Sequence, residues 1–179
     1  MSIVPQPNGL VKRRVSLRKR IWKDDVRSWS TGEKGFFMAP RTLPLILGLL
    51  SEKSFSGKAD VSRVYLELFA SHRDGGIVDI RSEDDHAFAA GFRGTRARRT
   101  WQERMAILER EGFIRVEPKG NQKNGYVLLV YPANVIKRLL AEGKIADGLW
   151  LRAYEACLID AGLDDEVEAL HETDVDQAD

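Results

Sequence analysis

Thr95, Arg96, Arg99 and Gln102 recur on one side of a run predicted to be helical from about Thr95 to Glu111. The chemistry open to them is hydrogen bonding to bases and phosphates. An arginine fork matches the acceptors on a guanine edge, a glutamine amide matches adenine, and either side chain grips phosphate. A helix N-terminus favours phosphate too. Arg93 and Arg98 flank the set and suit the backbone of a nucleic acid better than its base edges. The opposite side carries Ala97, Trp101, Met105 and Leu108 at i, i+4, i+8 and i+11, the stripe a helix turns towards a core. The plain alternative is a solvated arginine face, since Glu103, Glu109 and Glu111 can pair with it.

Other chemistries lack their residues. The sequence has no P-loop, no GxGxxG and no GxSxG. His72, His86 and His171 lie far apart without ligands at metal spacing, and no pair of acids suits general acid–base work. The expectation is a protein that is not an enzyme and holds no metal and no cofactor. Cys157 is the single cysteine, which rules out a disulfide framework and fits a reducing cytoplasm. The opening residues lack the apolar core of a signal peptide. The longest apolar run, Leu43–Leu50, contains Pro44 and falls far short of the ~20 residues a membrane span needs.

Several elements must position the arginines. Ser82 is a predicted N-cap for a short helix reaching Ala90, with Glu83 and Asp84 at the favourable end of its dipole. Gly91–Gly94 turns the chain, and Thr95 is expected to cap the second helix. Gly112 supplies a left-handed stop before two strand-like runs, Gly112–Glu117 and Tyr126–Tyr131. Between these runs, Pro118–Gly125 reads as a flexible basic loop in which Lys119 and Lys123 can follow phosphates. Tyr126–Tyr131 is apolar on both faces and is expected to be buried on both.

Upstream, Arg41–Leu50 reads as a helix apolar nearly all round, buried or shared with a partner chain. Lys58–His72 is an amphipathic helix with Val61, Val64, Tyr65, Leu68 and Phe69 on its stripe, and Ile77–Ile80 is a short strand. Downstream come a helix over Pro132–Glu142 and a second over Ile145–Ala161. The apolar stripe of the latter either packs back on Leu43–Leu50 or joins two copies.

The order of helix, tight turn, helix and hairpin, with the passage Leu108-Glu109-Arg110-Glu111-Gly112-Phe113-Ile114, resembles winged helix-turn-helix bacterial regulators and plasmid replication or partition proteins. The resemblance covers roughly Asp60–Tyr131. It implies a mainly α fold with a small β-hairpin and extra N- and C-terminal helices. It also implies sequence-specific binding of double-stranded DNA, with Arg96, Arg99, Gln102 and Thr95 on the bases and Arg93, Arg98, Lys119 and Lys123 on phosphates. Transcriptional regulation by a homodimer is the leading expectation. A plasmid or mobile-element replication or partition role is the alternative, and an adaptor that uses the fold without DNA is the rival of another class.

The net charge of +1 hides an asymmetry between the ends. Residues 1–30 hold a basic arm, including Arg13, Arg14, Arg18, Lys19 and Arg20, which offers a further grip on phosphates or simply packs. Residues 31–142 are expected to form the core, 143–163 a C-terminal helix, and 164–179 an acidic disordered tail.

Overall fold

The computed structural model describes residues 9–21, 37–52, 57, 59–72, 74–145 and 148–171. The chain divides into two units, residues 1–38 and 39–179. In the first, α1 spans Gly9–Ile21, with Leu17 and Ile21 exposed on it. The rest of the predicted basic arm, residues 1–8 and 22–30, lies outside the described residues.

The second unit is mainly helical with a three-stranded antiparallel sheet. Its elements are α2 (Leu43–Ser51), α3 (Ser62–Ser71), β1 (Ile77–Asp79), α4 (Glu83–Ala89), α5 (Ala97–Arg110), β2 (Ile114–Lys119), β3 (Gln122–Leu129), α6 (Pro132–Ala141), α7 (Leu149–Asp160) and α8 (Asp164–His171). The sheet order is β1-β3-β2, so β1 joins the hairpin by pairing Ile77 with Leu128 and Val78 with Val127.

One core unites these elements. Trp101, Met105 and Leu108 of α5 are buried, as their spacing predicts, and pack with α2, α3, β1 and α6. Ala97 is only partly buried against the same cluster. Tyr65 of α3 meets Phe113 edge-on at 5.7 Å between ring centroids. α5 ends in a Schellman arrangement: Phe113 N–H donates to the Leu108 carbonyl, Gly112 N–H to that of Glu109, and Gly112 has φ +79°.

Several expectations need correction. α3 begins at Ser62 rather than Lys58, because Asp60 accepts from the backbone N–H and hydroxyl of Ser62 at 2.9 and 2.6 Å and starts the helix there. The hairpin strands are longer than predicted, leaving only Gly120 and Asn121 between Lys119 and Gln122. Gly120, at φ +59°, supplies the positive φ that a type II′ turn requires at its first central residue. β3 is buried on one face only. Val127 is fully enclosed, whereas Tyr126 and Leu128 are exposed beside Ile77.

The C-terminal end differs as well. α2 is buried inside this chain, and Trp150 of α7 donates from Nε1 to the Leu45 carbonyl at 2.9 Å. Leu151, Tyr154 and Leu158 of α7 are buried within the chain, whereas Leu149 of the predicted stripe is 83% exposed, so only part of that stripe is spent on intramolecular packing. Residues 164–171 are helical rather than disordered. Leu170 is buried and Val167 packs on the same cluster, while Asp164, Asp165 and Glu166 sit in the first turn, where the dipole favours acids. Tyr131 also donates its hydroxyl to Glu166.

Candidate nucleic-acid interface

The predicted base- and phosphate-binding residues of the second unit lie on α4, the turn after it, α5 and the hairpin. Ser82 caps α4, its Oγ accepting from Asp85 N–H at 3.2 Å. Beyond α4, Arg93 is tied into the turn. Its Nη1 donates to the carbonyls of Phe88 and Phe92 at 2.6 and 2.9 Å, and its guanidinium lies 3.6 Å from the Phe88 ring centroid. That stacking shields a ring that is 62% exposed, so Arg93 fastens the turn as well as carrying charge.

Thr95 does not cap α5. The chain is still turning at Thr95 and Arg96, with Ala97 N–H donating to the Gly94 carbonyl at 3.1 Å, and Arg96 takes the cap position without a side-chain bond. Thr95 is therefore exposed ahead of the helix rather than on its first turn.

The centre of the site is an acid. Glu83 opens α4, yet its side chain is only 3% exposed. Its Oε2 accepts from Arg98 Nε at 2.7 Å and from Gln102 Nε2 at 2.6 Å, both on α5. Its Oε1 accepts from Asn124 Nδ2 on β3 at 2.7 Å. Burial pushes the Glu83 carboxyl up, but the bonds from Asn124, Arg98 and Gln102 outweigh it and hold the group below the usual carboxylate range. Gln122 extends the network by donating to the carbonyls of Ile80 and Asn124 at 3.1 and 3.0 Å. One carboxylate thus ties three elements together.

Glu83, Arg98, Gln102 and Gln122 line an open cleft of about 560 Å³ together with Arg81, Asn121 and Lys123. Gln102 and Arg98 are anchored in it: Gln102 Nε2 and Arg98 Nε bond Glu83, while the Arg98 side chain is still 55% exposed.

Two predicted arginines remain, Arg99 on the outer face of α5 and Arg96 at its N-cap. The Arg99 side chain is 81% exposed, and its Nε donates to Glu103 Oε1 at 3.1 Å. Such an exposed i,i+4 pair is worth little and yields readily to a stronger anion. Arg96 is exposed and makes no ion pair or hydrogen bond through its side chain among the described residues.

The hairpin divides its two lysines. Lys123 is exposed on β3 beside the cleft. Lys119 instead pairs with Asp79 of β1 at 2.7 Å, with its ammonium 5.1 Å from the Tyr126 ring centroid, and the Asp79 bond raises its pKa. Gly125 is the residue that lets the hairpin close. A Cβ there would stand 2.2 Å from Lys119 Cβ and 2.4 Å from Lys119 N, where the register shifts between Glu117 and Lys119.

On α1, Arg13 and Arg20 are exposed and Arg18 is half-buried, while the side chains of Arg14 and Lys19 lie outside the described residues. Sequence reasoning missed Glu83 as a buried acceptor, and with it Asn124, Gln122 and Arg81. A polar Arg98–Gln102 pair at i,i+4 above an acidic helix start was the one available signal.

Among the described residues, no group of three or more His, Cys, Asp or Glu is placed to hold a metal, and no helix is long and apolar enough to cross a membrane. Comparison with protein-family models, curated proteins and solved structures returned no match.

Proposed function

We propose that residues 39–179 form a winged helix-turn-helix domain that binds double-stranded DNA, with α5 as recognition helix and the β2–β3 hairpin as wing. The observation that carries this reading is the Glu83 clamp beside the Arg96–Arg99 stripe. It fixes α4, α5 and the hairpin as one unit while two arginines on α5 face solvent. The order α3, β1, α4, α5, β2, β3, with β1 closing onto β3, supports the same reading. Arg96 and Arg99 then contact bases, and Lys123, Arg81 and Arg93 contact phosphates.

Transcriptional regulation as a homodimer on paired half-sites is the role we propose, with plasmid replication or partition as the alternative. Leu151, Tyr154 and Leu158 of α7 are buried inside the chain, while Leu149 at its start is exposed and open to a second copy. The test is fluorescence anisotropy of the full chain with random-sequence duplex at two salt concentrations. Binding at low salt that collapses at high salt is expected, and absence of binding at both rejects the reading.

One observation favours a second reading, a protein-interaction adaptor without DNA. Arg98 and Arg99 are both met by carboxylates of this chain, Glu83 and Glu103. Under that reading the low-salt titration is flat.

A further inference from the structure

The pairing on α5 carries an inference about which bases the domain reads, and it rests on the DNA-binding proposal above. Arg98 and Gln102 are held by Glu83, and Gln102 was the side chain suited to adenine. The outer stripe is left with Arg96, Arg99 and Glu103. Glu103 does not occupy the whole Arg99 guanidinium. Its Oε1 takes the Nε hydrogen at 3.1 Å, while its Oε2 faces Arg104 Nη1 at 4.0 Å. Arg99 has no other partner among the described residues, so both of its Nη groups are open.

That is the edge an arginine uses end-on against the O6 and N7 acceptors of guanine, two parallel bonds from one planar fork. A carboxylate at Nε biases the orientation of the fork and lowers the ordering cost of a base contact, which, unlike phosphate, does not compete with it as an anion. Arg96 precedes Arg99 by three residues, about 4.5 Å along the helix axis, against about 3.4 Å between stacked base pairs. The two forks therefore span neighbouring base pairs. Glu103 has the further effect of repelling phosphate, which favours a base contact for Arg99 over a backbone contact.

We infer that this domain prefers sites with guanines on two adjacent base pairs, read by Arg96 and Arg99, and that Glu103 is a positioning residue for Arg99. Glu103→Gln should then separate affinity from discrimination. Loss of an acid beside DNA strengthens binding to every duplex at low salt, while the looser Arg99 fork distinguishes guanine less well. Arg99→Lys keeps the charge and loses the fork, so it should lower guanine preference by roughly tenfold, the effect of one bidentate contact.

The experiment is selection from a randomised duplex library with the full chain, followed by anisotropy on duplexes that differ only in a GG or AA step. Enrichment of adjacent guanines, preference for the GG duplex, and a roughly tenfold drop in that preference in Arg99→Lys are expected. Binding without guanine enrichment, or a guanine preference unaffected by both Arg99→Lys and Glu103→Gln, overturns the inference and leaves the DNA-binding proposal standing. Failure of the unaltered chain to bind any duplex at low salt overturns both.

Discussion

Asn124 on β3 donates its amide to Glu83 at the head of α4 at 2.7 Å, across 41 positions of sequence, and both residues are buried. This bond joins the hairpin to the helix pair through side chains. Because Arg98 and Gln102 bond the same carboxylate, Glu83 links α4, α5 and the hairpin through side chains.

Glu83→Ala should destabilise the fold by about 1–3 kcal/mol, the usual cost of leaving a buried amide such as Asn124 without its partner. Glu83→Gln keeps the volume and one acceptor and should cost less. Urea denaturation of both variants checks the order.

The same group sets an acid limit. The folded-state pKa of Glu83 lies below its ordinary value of 4.5, so its contribution is fully present above that value. It is lost as the pH falls through the folded pKa. Stability measured from pH 6 downward should therefore decline below about 4.5, and Glu83→Gln should flatten that part of the curve.

Gly125→Ala should disrupt the hairpin. The new methyl would fall 2.2 to 2.8 Å from Lys119 Cβ, N and Cα, two of which are backbone atoms and cannot rotate away. A loss of about 1–3 kcal/mol, typical of an overpacked site, is expected in thermal unfolding.

The division of the two lysines gives a binding prediction. Lys123→Ala should weaken binding to all duplexes alike and flatten the salt dependence by about one charge. Lys119→Ala should do less, because Asp79 already neutralises that ammonium.

Much of this fold was legible in the sequence. The Trp101–Met105–Leu108 stripe, the Ser82 cap and the Gly112 stop are local signals, and each appears where spacing puts it. The boundaries that moved did so for reasons periodicity does not carry. The hairpin turn shrank to two residues because Lys119 pairs with Gln122 beyond a register shift, and α8 formed because Val167 and Leu170 reach the core beside α6 and α7.

The site was legible by residue type and illegible by role. Arg96, Arg99 and Gln102 share one side of a helical wheel, with Arg98 flanking them. Glu83 divides them, and nothing near Glu83 in sequence announces that it folds inward against α5 and β3. Partners separated by 15 to 41 residues are set by tertiary packing alone.

The central claim is that the Arg96–Arg99 stripe of α5 contacts DNA. Its most direct test is anisotropy of the full chain against its Arg96→Ala, Arg99→Ala double variant on a duplex selected by the unaltered protein. The account predicts at least a severalfold loss of affinity with blurred base preference and unchanged thermal stability, since both side chains are solvent-exposed. Equal binding by the two proteins would contradict it.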